Sequence, residues 1–465
     1  MTPIGYIAFL AGVAGLFLSQ RWLYRSFVFW TLFSATSAAN FGGDENGSAL
    51  QVWMVFGSFW LLRLILNRVS KLEFTIDGRI VGPCLWLIGF AGVATISLLM
   101  PLWISGNLLI SSPVLGKDSS TPLYLTSHHF TQLLYLVFGI LIATCVAHAN
   151  LSDEQRHDTE RVILCSALFV AAWGVLQFAC NLTGVHYPAF LFNNSGSVYG
   201  KGYLQTLDIG INRVSSVTVE PSVLAQSLVA LLPLCLPAWL NRGSVLSRWM
   251  DRSASILLVA VLILSTSSTA YLGLFLLGIS AVVMIIRTGA LSMQRVAGYA
   301  AAALVGTGAV VAMAVTNVPV VSNLANSVLL NKSSSGSGIE RLMTIGLALG
   351  YFQQYPILGI GWGSATSHDL IAKLLSNVGI LGFAVFAGAM AVVMRASWKN
   401  LGDLTTPSSL SRFAWLLGFA VFLLTSVLIG FPLVFGNFWL TLGMAVATGC
   451  GEDILAATTP PARSR

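Results

Sequence analysis

Thirteen apolar runs follow one another along the 465 residues, at 4–19, 27–41, 50–66, 80–104, 130–148, 162–183, 223–240, 255–266, 270–286, 296–315, 371–394, 413–429 and 431–447. A single water-soluble core has no room for so many. A helix of about 20 apolar residues, by contrast, crosses a hydrocarbon layer of about 30 Å with every backbone polar group paired internally. The expected fold is an all-α polytopic membrane protein with about 12–14 transmembrane helices, forming one transmembrane domain over residues 1–465. Several runs are shorter than a full span, notably the first two and the one ending in Ser265-Thr266-Ser267-Ser268-Thr269. Composition agrees: 9% of residues are charged and 56% hydrophobic, where a soluble domain carries roughly a quarter charged. A soluble enzyme is excluded.

The net charge of +7 is not a nucleic-acid footprint, because the 24 Lys and Arg lie in twos and threes between apolar runs and form no basic stripe. They alternate instead. Every second connection is rich in cations, holding 18 of the 24, while the others hold only Lys117, Lys201, Arg213, Lys332, Arg341 and Lys373. Cation-rich connections stay on the cytoplasmic side, so the C-terminus is expected inside and, with thirteen spans, the N-terminus outside. The first run is not expected to be a cleaved signal peptide, since its positive charges follow the apolar stretch. Cys84, Cys145, Cys165, Cys180, Cys235 and Cys450 all lie in or beside apolar runs, away from long polar loops where a disulfide or metal cluster could assemble. No metal and no cofactor is expected.

Both long connections, 184–222 and 317–370, fall on the outer side. Loops of that length are more often functional or disordered than idle. The second contains Ser333-Ser334-Ser335-Gly336-Ser337-Gly338, which reads as a hinge, followed by an amphipathic helix. In the first, Arg213 and Glu220 stand at the mouth of a helix beginning near Pro221, where proline is at home and free N–H groups favour negative charge. They read either as a capped helix with a local ion pair or as an anion clamp and a base. In the second, Arg341 opens the amphipathic helix, where a cation does not help the helix dipole. His368 precedes the next span beside Asp369, which could fix its tautomer. His128 and His129 have no ligand-spaced companions. Gly359, Gly361 and Gly363 lack the Lys-Ser/Thr of a phosphate loop and face away from ATP, and no nucleophile-elbow pattern suggests a hydrolase.

Four stretches, taken in order, resemble the O-antigen ligase and polymerase superfamily, membrane glycosyltransferases of the glycosyltransferase-C class. They are Arg213-Val214-Ser215 through Glu220-Pro221-Ser222-Val223-Leu224-Ala225; Leu264-Ser265-Thr266-Ser267-Ser268-Thr269-Ala270-Tyr271-Leu272-Gly273; Arg341 with Tyr355-Pro356-Ile357-Leu358-Gly359-Ile360-Gly361, Ser367-His368-Asp369 and Asn377-Val378-Gly379-Ile380-Leu381-Gly382; and Phe438-Trp439-Leu440. The resemblance covers roughly half the chain. Ser267-Ser268 stands where many ligases have Ser-Arg, and His368-Asp369 where the family has His-Asn.

The resemblance implies an inverting, metal-independent glycosyltransferase of the bacterial inner membrane, acting on the periplasmic face. Its substrate would be an undecaprenyl-diphosphate-linked glycan, and its partners the membrane lipid and a chain-length-regulating co-polymerase. Arg213 and Arg341 would bind the substrate diphosphate, and His368 or Glu220 would serve as the catalytic base. Polymerisation of lipid-linked repeat units into O-antigen, capsular or exopolysaccharide is the leading expectation. Ligation to lipid A-core or protein is the alternative. A flippase or transporter is a third reading, although only Arg63 lies well inside an apolar run and no internal repeat is evident.

Overall fold

The computed structural model describes residues 1–41, 48–71, 77–114, 117–196, 203–205, 212–288, 336–402, 404–427, 429–430 and 432–450. The chain is an all-α, multi-pass membrane protein. Its elements are α1 (Pro3–Leu18), α2 (Gln20–Trp30), β1 (Ser37–Phe41), β2 (Ser48–Gln51), α3 (Val52–Lys71), α4 (Gly78–Ser97), α5 (Leu99–Ile104), β3 (Leu109–Val114), β4 (Lys117–Pro122), α6 (Ser127–Ala149), α7 (Asp153–Thr183), α8 (Ala189–Phe192), α9 (Pro221–Leu231), α10 (Leu236–Trp239), α11 (Arg248–Leu264), α12 (Ser268–Thr288), α13 (Gly336–Gln354), α14 (Leu370–Lys399), α15 (Pro407–Ser426) and α16 (Gly436–Thr448). The only strands among the described residues are two antiparallel hairpins, β1–β2 and β3–β4.

Seven helical segments among the described residues are long and apolar enough to cross a membrane: Val52–Val69, Gly78–Ile104, Ser127–Ala149, Asp153–Thr183, Pro221–Trp239, Leu370–Lys399 and Pro407–Ser426. Other apolar runs form shorter helices, such as α1 with 16 residues and α16 with 13. The run at 296–315 lies outside the described residues, as do 197–202, 206–211 and 317–335 of the long connections. The run at 27–41 does not form one span. Helix α2 stops at Trp30 and the chain enters β1 at Ser37. Local hydroxyls compete with the helix there: Thr31 Oγ1 donates back to Val28 O at 2.7 Å and Thr36 Oγ1 donates to Phe192 O at 2.7 Å. The run at 223–240 is broken by Pro233 and Pro237 into α9, a 3₁₀ turn and α10.

Packing follows small residues, as expected where lipid supplies no hydrophobic drive between helices. Gly418 of α15 lies so close to α9 that a Cβ would stand 2.1 Å from Ala230 O, and Gly139 of α6 accommodates the indole of Trp439 on α16. Helix α14 packs on α4, α16 on α6 and α15 on α9, around fully buried Trp53, Trp60, Trp415 and Trp439.

The cation-rich turns gather at one end of the bundle. Asn67 reaches Gln20 at 2.7 Å, Arg68 reaches His148 at 2.8 Å, Arg161 donates to Val245 O at 3.1 Å, and Arg242 donates to Leu404 O at 3.1 Å. The opposite end collects the two hairpins and the long connections: Thr2 N–H donates to Ala38 O at 3.0 Å, and Ser111 N–H donates to Tyr351 OH at 2.9 Å.

Candidate functional site

Residues 214–219 are all buried, although they belong to a connection. Buried backbone must find partners, and the chief one is Gln177, fully buried on α7. Its Oε1 accepts from Ser215 N–H at 3.0 Å and Ser216 N–H at 2.7 Å. Ser216, with φ at +52°, donates its hydroxyl to Val170 O at 2.6 Å, and its carbonyl accepts from Asn193 Nδ2 at 2.9 Å and Tyr187 OH at 3.2 Å. Thr218 Oγ1 stands 2.8 Å from Ser215 O and 2.9 Å from Glu220 O, and Val219 N–H donates to Ser34 Oγ at 3.2 Å. The loop is therefore a rigid bar with Arg213 at one end and Glu220 at the other. Nothing in the spacing of Gln177 announced it; its only signal is an amide in the middle of an apolar run.

The Arg213 guanidinium lies over the end of α11, with Nε 3.4 Å from Ser265 O and Nη2 3.5 Å from Thr266 O, while Nη1 is 3.5 Å from Gln205 Oε1. These are long contacts, made to carbonyls at a helix C-terminus, where Ser265 O also accepts from Thr266 Oγ1 at 2.8 Å. Burial holds Arg213 below the usual arginine range, at about 10; Glu220 opposes that shift, whereas Arg341 adds to it. The group is charged at neutral pH. The Ser-rich turn at 265–268 thus serves to seat Arg213, with Thr266 itself at φ +47°.

Glu220 occupies the N-cap position of α9, yet its side chain makes no capping bond. Instead Oε2 accepts from Ser222 Oγ at 2.9 Å. Among the described residues it forms no ion pair within 4.0 Å, so the capped helix with a local ion pair is not what the structure contains.

Gly336 and Gly338 of the Ser/Gly run fall in the first turn of α13 and Arg341 in the second; 333–335 are outside the described residues. One turn on, Thr344 Oγ1 donates to Arg341 O at 2.9 Å and lies 3.1 Å from His368 Nδ1. Thr344 therefore fixes the face of the imidazole. Asp369 does not: its Oδ1 accepts from Ala372 N–H at 2.6 Å as the N-cap of α14, because a carboxylate at that position satisfies a free helical N–H. Burial pushes His368 below the ordinary histidine range, Glu220 opposes this, and Arg341 and Lys373 reinforce it. Glu340 is raised by burial and by Glu220, with Arg341 opposing.

These mutual influences put Arg213, Glu220, Arg341 and His368 in one electrostatic neighbourhood, with Glu340, Tyr271 and Lys373 around them. Residues drawn from the first long connection, the second, and the helix after it converge at the hairpin end of the bundle. Lys373, one of the six cations assigned to connections, lies instead in the first turns of α14.

The convergence is held by a break in α14. Gly379 has φ 64° and ψ −168°, a region open in practice only to glycine, and a Cβ there would stand 2.2 Å from Ile357 O. The interrupted helix pairs with the loop after α13. Ile360 N–H donates to Ser376 O at 2.8 Å and Gly361 N–H to Asn377 O at 3.1 Å, while Ile380 N–H donates to Pro356 O at 2.8 Å and Leu381 N–H to Ile357 O at 3.3 Å. Asn377, buried, adds Oδ1 as acceptor for Ala365 N–H and Nδ2 as donor to Ala365 O, both at 3.0 Å. The motifs at 355–361 and 377–379 are thus two halves of one joint. It ties α13, with Glu340 and Arg341, to the start of α14, with His368 and Lys373.

Chemically, two guanidiniums that form no ion pair within 4.0 Å among the described residues can receive an anion, and an imidazole whose protonated form is disfavoured by burial can accept a proton. Among the described residues no group of three or more His, Cys, Asp or Glu is placed to hold a metal ion; His129 instead serves the cap of α6 and reaches Ser364 Oγ at 3.1 Å. Compared with models of known families and with curated proteins, the chain matches none.

Proposed function

We propose that this protein is a glycosyltransferase of the bacterial inner membrane that polymerises undecaprenyl-diphosphate-linked repeat units on the periplasmic face. The observation that carries this reading is the convergence of Arg213 and Arg341 with His368 and Glu220 at the end of the bundle opposite the cation-rich turns. As the anomeric C–O bond breaks, negative charge grows on the leaving diphosphate, and the two partly buried cations stabilise it more than they would in open water. His368, neutral because it is buried, takes the proton of the incoming sugar hydroxyl, with Thr344 holding its ring. Glu220 favours the imidazolium that forms. Attack from the face opposite the diphosphate inverts the anomeric centre.

The test is to supply the purified protein with one lipid-linked repeat unit and no other acceptor. A ladder of longer glycans is expected. Product only after lipid A-core is added would make the protein a ligase, and no transfer with either acceptor would overturn the enzyme reading.

A further inference from the structure

At the cation-rich end of the bundle, away from the candidate site, a cavity of about 450 Å³ lies between the α9–α10 turn, α11, α12 and α15. Its lining side chains are hydrocarbon apart from the Cys235 thiol, Trp239 and Ser255. The last two satisfy each other: Trp239 Nε1 donates to Ser255 Oγ at 2.9 Å, and Ser255 Oγ donates to Arg252 O at 2.7 Å. The side chains of the wall thus offer apolar surface rather than hydrogen bonds. Among the described residues the rim is open, with Ile256 63% and Trp239 52% exposed in segments that cross the membrane, so the neighbouring solvent is lipid.

The rim also carries charge. The Arg252 guanidinium lies over the Trp239 ring, 5.5 Å from its centroid. Its Nε and Nη2 donate to Ala238 O at 3.1 and 2.9 Å, and Nη2 donates to Asn241 Oδ1 at 2.8 Å. All of these acceptors are neutral. The one carboxylate between residues 236 and 259, Asp251, is turned into the fold, where it accepts from Val245 N–H at 2.6 Å and Leu246 N–H at 3.0 Å. Arg252 accordingly forms no ion pair within 4.0 Å among the described residues. Exposed Arg248, one turn earlier, adds a second cation, and exposed Trp249 stands at the same level, as tryptophans do at a headgroup boundary. From Arg252 the wall continues along α11 through Ile256 to Val259, about 10 Å toward the bilayer centre at 1.5 Å per residue.

A cation at the headgroup level above an apolar groove complements one kind of molecule. We propose that the groove binds an anionic phospholipid of the leaflet at this end, with its phosphate on Arg252 and one acyl chain between α11 and α12. A zwitterionic headgroup fits less well, because no carboxylate of the rim is free to receive its ammonium.

The experiment uses the full chain in phosphatidylcholine nanodiscs containing a small share of a photoactivatable lipid, either phosphatidylglycerol or phosphatidylcholine with the same diazirine-labelled acyl chain. After irradiation, adducts are mapped to residues 255–259 and 274–278. Phosphatidylglycerol should label them about fivefold more than phosphatidylcholine, as expected of one basic residue beside an anionic headgroup, and Arg252→Met should bring the two probes to parity. Gly278→Leu, at a lining position where a Cβ meets open space, should cut labelling by both. The comparison of probes in the unaltered protein decides even if a variant fails to fold. Equal labelling there would mean ordinary surrounding lipid, and absence of adducts would mean that the groove is empty or filled by the chain's own apolar run at 296–315; either result overturns the proposal.

Discussion

His368 and the two arginines carry different expectations, and each can be tested singly. If His368 is the base, transfer falls as pH drops through its pKa, because only the neutral ring accepts a proton. Burial places that fall below the ordinary histidine value of about 6.5. Glu220→Gln removes a charge that favours the imidazolium, so the fall should move to still lower pH. Arg341→Gln should move the fall in any residual activity upward. A pH–rate profile for each variant decides: Glu220→Gln inactive at every pH would assign the base to Glu220. Arg213→Ala and Arg341→Ala should each cost about 10²–10³-fold in rate, the size seen when a charge-stabilising donor is lost. Expression and thermal stability, measured alongside, should persist. Near-normal transfer in both would remove the diphosphate clamp.

At the scale of elements, the first prediction concerns the joint in α14. Gly379→Ala forces a non-glycine residue to positive φ and puts a methyl on Ile357 O. The backbone strain alone costs about 1–3 kcal/mol, so thermal unfolding should occur at clearly lower temperature. Gly350→Ala in α13, where a Cβ meets open space, is the matched control and should stabilise by about 0.5–1 kcal/mol. The second concerns Gln177. Gln177→Leu strands the N–H groups of Ser215 and Ser216 inside the protein, and each buried unsatisfied donor costs about 1–3 kcal/mol. Activity should fall with stability, because the bar between Arg213 and Glu220 loosens; a variant as stable as the parent would show that the bar has other supports.

These two elements also mark what was legible beforehand. Apolar runs announce helices because lipid leaves the backbone no other way to satisfy itself, and the scarcity of charge drew attention to Arg213 and Arg341. The reach of Gln177 into a distant loop, the seating of Arg213 on the 265–268 turn, and the pairing of 356–361 with the broken helix depend on approach between distant segments, which periodicity does not encode. Adjacency in the sequence suggests only that Asp369 could orient His368. In three dimensions the helix claims that carboxylate, and Thr344, from another segment, meets the imidazole.

For the whole molecule, the alternation of cationic and non-cationic connections predicts sidedness. In a variant with the native cysteines replaced, Thr366→Cys, beside His368, should react with a membrane-impermeant maleimide added outside intact spheroplasts. Ser247→Cys, at the start of α11, should react only after the membrane is opened. The reverse pattern would place the candidate site in the cytoplasm.

The interruption at Gly379 also bears on how the protein fits its bilayer. The 20 residues at 380–399 after the break are about 30 Å long at 1.5 Å per residue, which matches the hydrocarbon thickness by themselves. The nine before it form a separate upper tier. Both tiers are bonded to the loop at 356–361, the upper through Ser376 and Asn377 and the lower through Ile380 and Leu381. Tilt of the lower rod in a thinner or thicker membrane would therefore be passed through that loop to the tier that carries Lys373.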